Sequence, residues 1–297
     1  MQQIQWQDRF NIGVEIVDQA HRRLFSIVQK ITELYVEKHE SKFACMEGIK
    51  YFRAYAVQHF AEEEAYMRQI GYPGYPSHKW HHDKMRQETL PALEHELYDT
   101  DFSTEAVQHF IGVCIGWLTG HIMIEDRAII RTPSEKPIVL QPTDERSVVL
   151  KMILSPLQEM FGPDIQFVGH FFQEDTIIDA QYYELTYHIR QNTALRFILI
   201  TNEELLLHAA GLMFGIQCHT MNDVVRFAIR EETQTLLQRA AVCFEQDFSV
   251  YRLMSDRFLT PGQYRQHFEE HAPQHSLLFR TKPSCFALCI DRLPESD

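Results

Sequence analysis

Hydrophobic positions in the first 130 residues recur at helical spacing. Leu24, Ile27, Val28, Ile31, Leu34 and Tyr35 fall three and four apart, the stripe of an amphipathic helix with one buried face. Read the same way, the chain predicts helices over 19–38, 42–69, 76–97 and 103–130. Turn chemistry separates them. Gly71-Tyr72-Pro73-Gly74-Tyr75-Pro76 closes the second, and Asp99-Thr100-Asp101 leads into the fourth. Four helices joined by short loops predict an all-α, up-down four-helix bundle, whose interior is a natural place for a metal site.

The pattern then changes. Residues 133–147 hold three prolines and little that is apolar, and read as a linker. Beyond it, β-type runs occur at Ile165–Phe172, Tyr182–Arg190, Arg196–Thr201, Phe248–Leu253 and Phe286–Ile290. Helical stretches lie between them at 147–161, 202–215 and 221–244. Thr201-Asn202-Glu203-Glu204 opens one with a capping residue and early acids. The chain thus divides into a bundle over 1–132 and an α/β or α+β domain over 148–297. Its 297 residues suffice for two cores.

Composition narrows the partners. The net charge is −13, shared almost evenly: 14 Lys/Arg against 20 Asp/Glu in residues 1–135, and 14 against 21 in 136–297. Neither half is a basic module, which argues against nucleic acid and anionic membrane surfaces. No apolar run reads as a membrane span, and Met-Gln-Gln-Ile-Gln-Trp does not read as a signal peptide. Six cysteines sit singly in mostly apolar surroundings, as buried thiols do in a reducing compartment. A cytoplasmic protein is expected.

Candidate chemistry sits in the bundle. Of sixteen histidines, several stand at ligand spacing. His59 and Glu63 lie one turn apart on the second predicted helix, and His78 and His82 do so on the third. The fourth offers His121 and Asp126, a five-residue step, and the first offers His21. Each helix therefore contributes an inward donor, giving five imidazoles and two carboxylates. A lone histidine or an acidic run is usually a solvated face, but four helices would each need that accident. Imidazole with carboxylate suits iron, zinc or manganese, so donor type leaves the metal open. Two bridging carboxylates and a bridging oxo or hydroxo group would give a metal with three histidines six ligands, and one with two histidines five. The vacancy suits a small diatomic ligand. His81 and His95 read as exposed. His267, His271 and His275 are spaced by four, with Pro273 interrupting any helix between the last two.

These residues, with the opening Trp6-Gln-Asp-Arg-Phe-Asn-Ile-Gly-Val, resemble the bacterial members of the hemerythrin family over residues 4 to 130. The resemblance implies two iron ions and reversible O2 binding. It places His78, His82 and His121 on a six-coordinate iron, His21 and His59 on the open one, and Glu63 and Asp126 between them. Leu24, Phe60, Trp117, Leu118 and Ile122 fall where that family lines its O2 pocket with apolar bulk, which excludes water and slows autoxidation.

The second half is similar to chemotaxis phosphatases of the CheC/CheX type. The likeness rests on Phe197-Ile-Leu-Ile-Thr-Asn-Glu-Glu-Leu205 and Ala209-Ala-Gly-Leu-Met-Phe-Gly215, followed by a helix around 229–244. Those enzymes carry an acid and, three residues on, an asparagine that positions water against a response regulator's aspartyl phosphate. Here Glu231 and Gln234 stand in that place, the amide one methylene longer. Positioning is most of the catalysis in phosphoryl transfer. The expectation is therefore a docking or homodimerising domain rather than an enzyme, with a response regulator as candidate partner. An O2 or redox sensor, an O2 store and an O2-gated phosphatase are the three functions these features predict, in that order.

Overall fold

The computed structural model describes residues 4–38, 42–130, 150, 153–154, 156–158, 164–169, 177–189, 193–241, 250–270, 273–282 and 284–294. The predicted linker and Cys243 lie outside them, as does most of the helix expected over 147–161. Two compact units result. One comprises Met1–Glu135 with Ala210–Thr235; the other comprises Lys136–Ala209 with Leu236–Asp297.

The first unit is built on four helical arms. They are α1 (Glu15–Lys38), α2 (Lys42–Ile70), an arm made of α3 (Tyr75–Lys84) and α4 (Leu90–Asp99), and one made of α5 (Thr104–Gly120) and α6 (Arg127–Ile130). Four of the six predicted stripe residues, Leu24, Ile27, Val28 and Ile31, are under 7 % exposed, while Leu34 and Tyr35 toward the helix end are half-buried. Gly71, at φ 65°, ends α2 in the left-handed conformation that glycine adopts without strain. Ser103 caps α5 by accepting from the Ala106 N–H at 3.2 Å.

Each of the last two arms contains a π-helical segment, Met85–Thr89 and His121–Asp126. In the first, the Leu90 N–H reaches back to the Met85 carbonyl. Pro91 follows, lacking an N–H and crowding the preceding turn, and the wider π turn lets the arm continue through it to Asp99.

The α5 arm is buried on nearly every side. By length and composition, Thr104–Ile130 qualifies as a membrane span, which corrects the expectation that no such run exists. Its apolar window is 89 % buried inside the protein, as suits a core helix. One side faces the bundle. The other carries Gly112, Gly116 and Gly120, packed in the same unit by α8 (Asp223–Ala241). A Cβ on Gly116 would stand 2.3 Å from the Ala228 carbonyl oxygen, so only glycine permits this approach. Glu232 is buried there, and desolvation raises its pKa to about 8 against the opposing charge of Arg9.

The second unit holds a six-stranded sheet of β1 (Gln166–Gly169), β2 (Gln181–Ile189), β3 (Thr193–Thr201), β4 (Arg252–Leu259), β5 (His275–Arg280) and β6 (Cys285–Pro294), in the order β1-β5-β6-β3-β2-β4. All five pairings are antiparallel, so α+β is the correct one of the two expected classes. Asn202 caps α7 (Glu203–Phe214) as predicted, accepting from the Leu205 N–H at 3.1 Å. The strand expected at Phe248–Leu253 instead runs Arg252–Leu259 at the sheet edge, where Leu253, Met254 and Phe258 stay exposed and leave no buried face to read. The histidine triplet does not share a helix face. His267 lies on α9 (Pro261–Glu270), His275 lies on β5, and His271 is outside the described residues. The five described cysteines are free thiols, four of them buried.

Two substitutions test the packing of the first unit. Gly116→Ala should cost about 1–3 kcal/mol through overpacking, read as a lower urea midpoint. Glu232 is neutral when folded and ionised when unfolded between pH 4.5 and about 8. Its burial therefore opposes folding increasingly as pH rises through that window, by up to about 5 kcal/mol. Glu232→Gln should raise the thermal midpoint at pH 8 and change it little at pH 4.5.

Candidate metal centre

All seven predicted donors meet in the bundle core, each no more than 3 % exposed. His121 Nε2 lies 3.0 Å from both His78 Nε2 and His82 Nε2. Glu63 Oε2 stands 3.4 Å from His78 Nε2 and 3.2 Å from His82 Nε2. Asp126 Oδ1 stands 3.3 Å from His78 Nε2 and 3.0 Å from His121 Nε2, while Oδ2 lies 3.1 Å from His21 Nε2. His59 Nε2 is 3.9 Å from Glu63 Oε2, and its ring meets that of His21 at 4.8 Å. Six of the seven fall into two sets of closely spaced donors that share Glu63: Glu63, His78, His82 and His121, and His21, His59 and Glu63; Asp126 belongs to neither.

These distances fit a cation better than a hydrogen-bond network. Both oxygens of Glu63, both oxygens of Asp126 and both nitrogens of His21 are buried without a well-formed hydrogen bond. Orphans of this kind are costly unless something absent from the side-chain inventory satisfies them. At a metal–nitrogen distance of about 2.1 Å, adjacent octahedral donors stand about 3.0 Å apart and tetrahedral ones about 3.4 Å. The separations around His121 match the octahedral value, and the set as a whole spans the range between.

The five-residue step from His121 to Asp126 has a backbone cause. The segment is π-helical, with the Arg127 N–H bonded to the Ile122 carbonyl. Hydrogen bonding from i to i+5 brings the sixth residue back over the first. His59 and Glu63 need no such device, being one α turn apart on α2.

Burial and the neighbouring charges together set the protonation states. Desolvation lowers His59 to about 3 and also lowers His121, leaving neutral rings with lone pairs available to a cation. Desolvation opposes ionisation of Glu63 and Asp126 too, yet the surrounding imidazoles win and hold both well below their ordinary values. His78 faces both carboxylates, which overcome its burial and raise it to about 9.

The predicted apolar lining is buried: Leu24, Phe60, Trp117, Leu118 and Ile122 are at most 8 % exposed. Phe60 stacks on His82 with centroids 4.3 Å apart, and Trp117 stacks on His121 at 4.3 Å. These two aromatic rings therefore cover the three-histidine side.

His81 corrects the reading as an exposed position. It is 5 % exposed, with Nε2 3.9 Å from the buried Glu125, and desolvation lowers it to about 3. His95 is exposed, as expected. Glu64 and Arg86 were missed. Glu64 is 5 % exposed and its Oε1 faces His82 Nδ1 at 3.3 Å, while Arg86 donates to that same oxygen at 2.7 Å. Its place beside Glu63 in an acidic run gave no sign of burial; Arg86, four residues after His82, was the available signal.

Comparison with known proteins agrees with this centre. A sequence profile described as "Hemerythrin HHE cation binding domain" matches residues 12–132. A bacteriohemerythrin of Clostridium acetobutylicum is 34 % identical over 131 residues, covering 42 % of this chain and 97 % of that protein. One from Stenotrophomonas maltophilia is 32 % identical over 124 residues, covering 41 % and 76 %. Through this region the chain belongs to the bacteriohemerythrin family. Among solved structures, the chemotaxis protein CheX of Vibrio vulnificus aligns with 49 % of this chain and 96 % of its own, at a TM-score of 0.37 and 14 % identity. A CheX–CheY complex from Borrelia burgdorferi aligns with 50 % of this chain and 97 % of its own, at 0.37 and 9 %.

The metal-free protein should be most stable near pH 6.5. Below that value the unfolded chain takes up protons that His59, His81 and His121 refuse when folded, so stability falls with pH. Above it His78 keeps a proton up to about pH 9 that the unfolded chain has lost, so stability falls as pH rises. Thermal midpoints of chelator-treated protein from pH 5 to 9 would show the peak; a monotonic trend would contradict this assignment of charge.

Proposed function

We propose that residues 1–132 hold two iron ions and bind O2 reversibly. The metal ligands in this reading are His78, His82 and His121 on one ion and His21 and His59 on the other, with Glu63 and Asp126 shared. The supporting observation is the division of the Asp126 carboxylate, whose Oδ1 faces His78 and His121 and whose Oδ2 faces His21. The choice of iron rests on family membership. When bound, the iron pair supplies the electrons for reversible O2 binding.

The protein's own residues do the rest. The three-histidine side offers one more imidazole than the His21/His59 side, so any open position belongs to the latter. A histidine-rich donor set carries less anionic oxygen than a carboxylate-rich oxidase site, which favours binding over O–O cleavage. Leu24, Phe60, Trp117, Leu118 and Ile122 exclude water from the pocket.

We further read the protein as an O2 or redox sensor whose output is the domain over 148–297, in preference to an O2 store. In support, α5 leads directly into His121 and Asp126, and its glycine side carries α8 residues 224–235 within one compact unit. A change of state at the ligands has a short path to α8. Glu231 also stands at this packed side, its Cβ 2.9 Å from where a Gly116 Cβ would sit. That placement, with the lengthened amide of Gln234, weighs against phosphatase catalysis, and docking to a response regulator or homodimerisation is the role left to the domain in this reading. A cytoplasmic setting follows from this reading.

Iron-loaded full-length protein should gain a visible oxo-to-iron charge-transfer band on aeration and lose it on deoxygenation. Absence of the band in protein carrying two irons would overturn O2 binding. Oligomeric state or response-regulator affinity should differ between deoxy and oxy forms; identical behaviour would make the protein a store.

A further inference from the structure

We propose that Glu64, anchored by Arg86, is the positioning residue that fixes the tautomer and orientation of His82. The inference rests on the metal-binding reading above and adds a part to it. His82 is fully buried and turns Nε2 toward Glu63 at 3.2 Å and toward His121 at 3.0 Å. Its other nitrogen, Nδ1, faces Glu64 Oε1 at 3.3 Å. A carboxylate only accepts, so this contact places the imidazole proton on Nδ1 and leaves the Nε2 lone pair directed at the centre.

Glu64 is itself held. Arg86 Nη2 donates to Oε1 at 2.7 Å, and Arg86 Nε donates to Asp83 Oδ1 at 2.9 Å. Asp83 in turn takes Lys79. Arg68 stands 3.9 Å from the other Glu64 oxygen. The carboxylate next to His82 thus has a fixed position and a compensating cation, which a buried charge requires. Phe60 packs flat on the ring, interplanar angle 15°, and removes its remaining rotational freedom. Among the predicted donors, His82 is in this way held on both ring nitrogens and one face. A carboxylate behind a ligating imidazole raises its basicity and keeps its lone pair aimed.

The test uses full-length protein and the variants Glu64→Gln, Glu64→Ala and His82→Ala. In metal-free protein, long-range proton–nitrogen NMR should show His82 protonated on Nδ1. Glu64→Gln, whose amide oxygen still accepts, should keep that signal, and Glu64→Ala should lose it. Cobalt(II) affinity, measured by competition with a chromophoric chelator, should fall about 10–100-fold in Glu64→Ala and much less in Glu64→Gln. Wild-type tautomer and affinity in a Glu64→Ala protein of unchanged circular dichroism would overturn the proposal. Should Glu64→Ala not fold, loss of the Nδ1–H signal in folded Glu64→Gln would do so instead. An unchanged cobalt(II) affinity in His82→Ala would instead sink the metal-binding reading, and with it the functional context of the clamp.

Discussion

The first unit is organised around the convergence of five imidazoles and two carboxylates in a space closed to water. Polar groups of this kind oppose folding when buried without partners, and here several have none among the side chains. The apolar stripes of four helical arms must supply enough burial to hold the set together. Phe52, Phe60, Phe110, Met67 and Leu24 are among the fully buried side chains that do so. A cation turns the same orphans from a liability into ligands, so folding and metal binding are linked in one free energy. Ionised carboxylates and neutral His59 and His121 suit a cation, whereas His78, raised to about 9 by both acids, must release a proton to bind one.

Much of this was legible from spacing. Donors one α turn apart on α2 and α3 announce themselves, because the period of the helix is also the period of the ligands. The apolar pattern located the arms to within a few residues, and Asn202 marked the start of α7. Features set by tertiary context were not legible. Glu64 and His81 sit beside ligands in polar runs that look solvated, and only the assembled bundle buries them. The exposed edge strand β4 has no alternation to betray it. β5 is a short run, His-Ser-Leu-Leu-Phe-Arg, that follows Pro273 closely and does not alternate, so it carries no strand signature of its own. The largely buried α5 looks like a membrane helix by composition, and its glycines make sense only once α8 lies against them.

The two ends of the binding core differ in construction. The His78/His82/His121 side is stacked by Phe60 and Trp117 and backed by Glu64 and Arg86, which leaves its rings little latitude. The His21 side is held by one carboxylate oxygen and the neighbouring His59 ring. Rigidity concentrated on one half and fewer imidazoles on the other are what the proposed centre, with one structural and one ligand-exchanging position, would use. Asp18 closes the entry to α1 by accepting from the Ile12 and Gly13 N–H groups at 2.7 and 3.0 Å, which orders the chain just ahead of His21.

The π segment at His121–Asp126 separates two quantities that an α-helix ties together. Five α-helical steps of about 100° would turn Asp126 some 140° past His121, well off the shared face. Relative to a regular helix, the segment is one residue longer than its rise requires. Such an insertion is absorbed inside the turn that carries the ligands, while Gly112 through Gly120 upstream keep α phasing against α8. Length change is thereby confined to the site: the face used for packing and the face used for coordination can drift apart in sequence, one residue at a time, without either losing its partner.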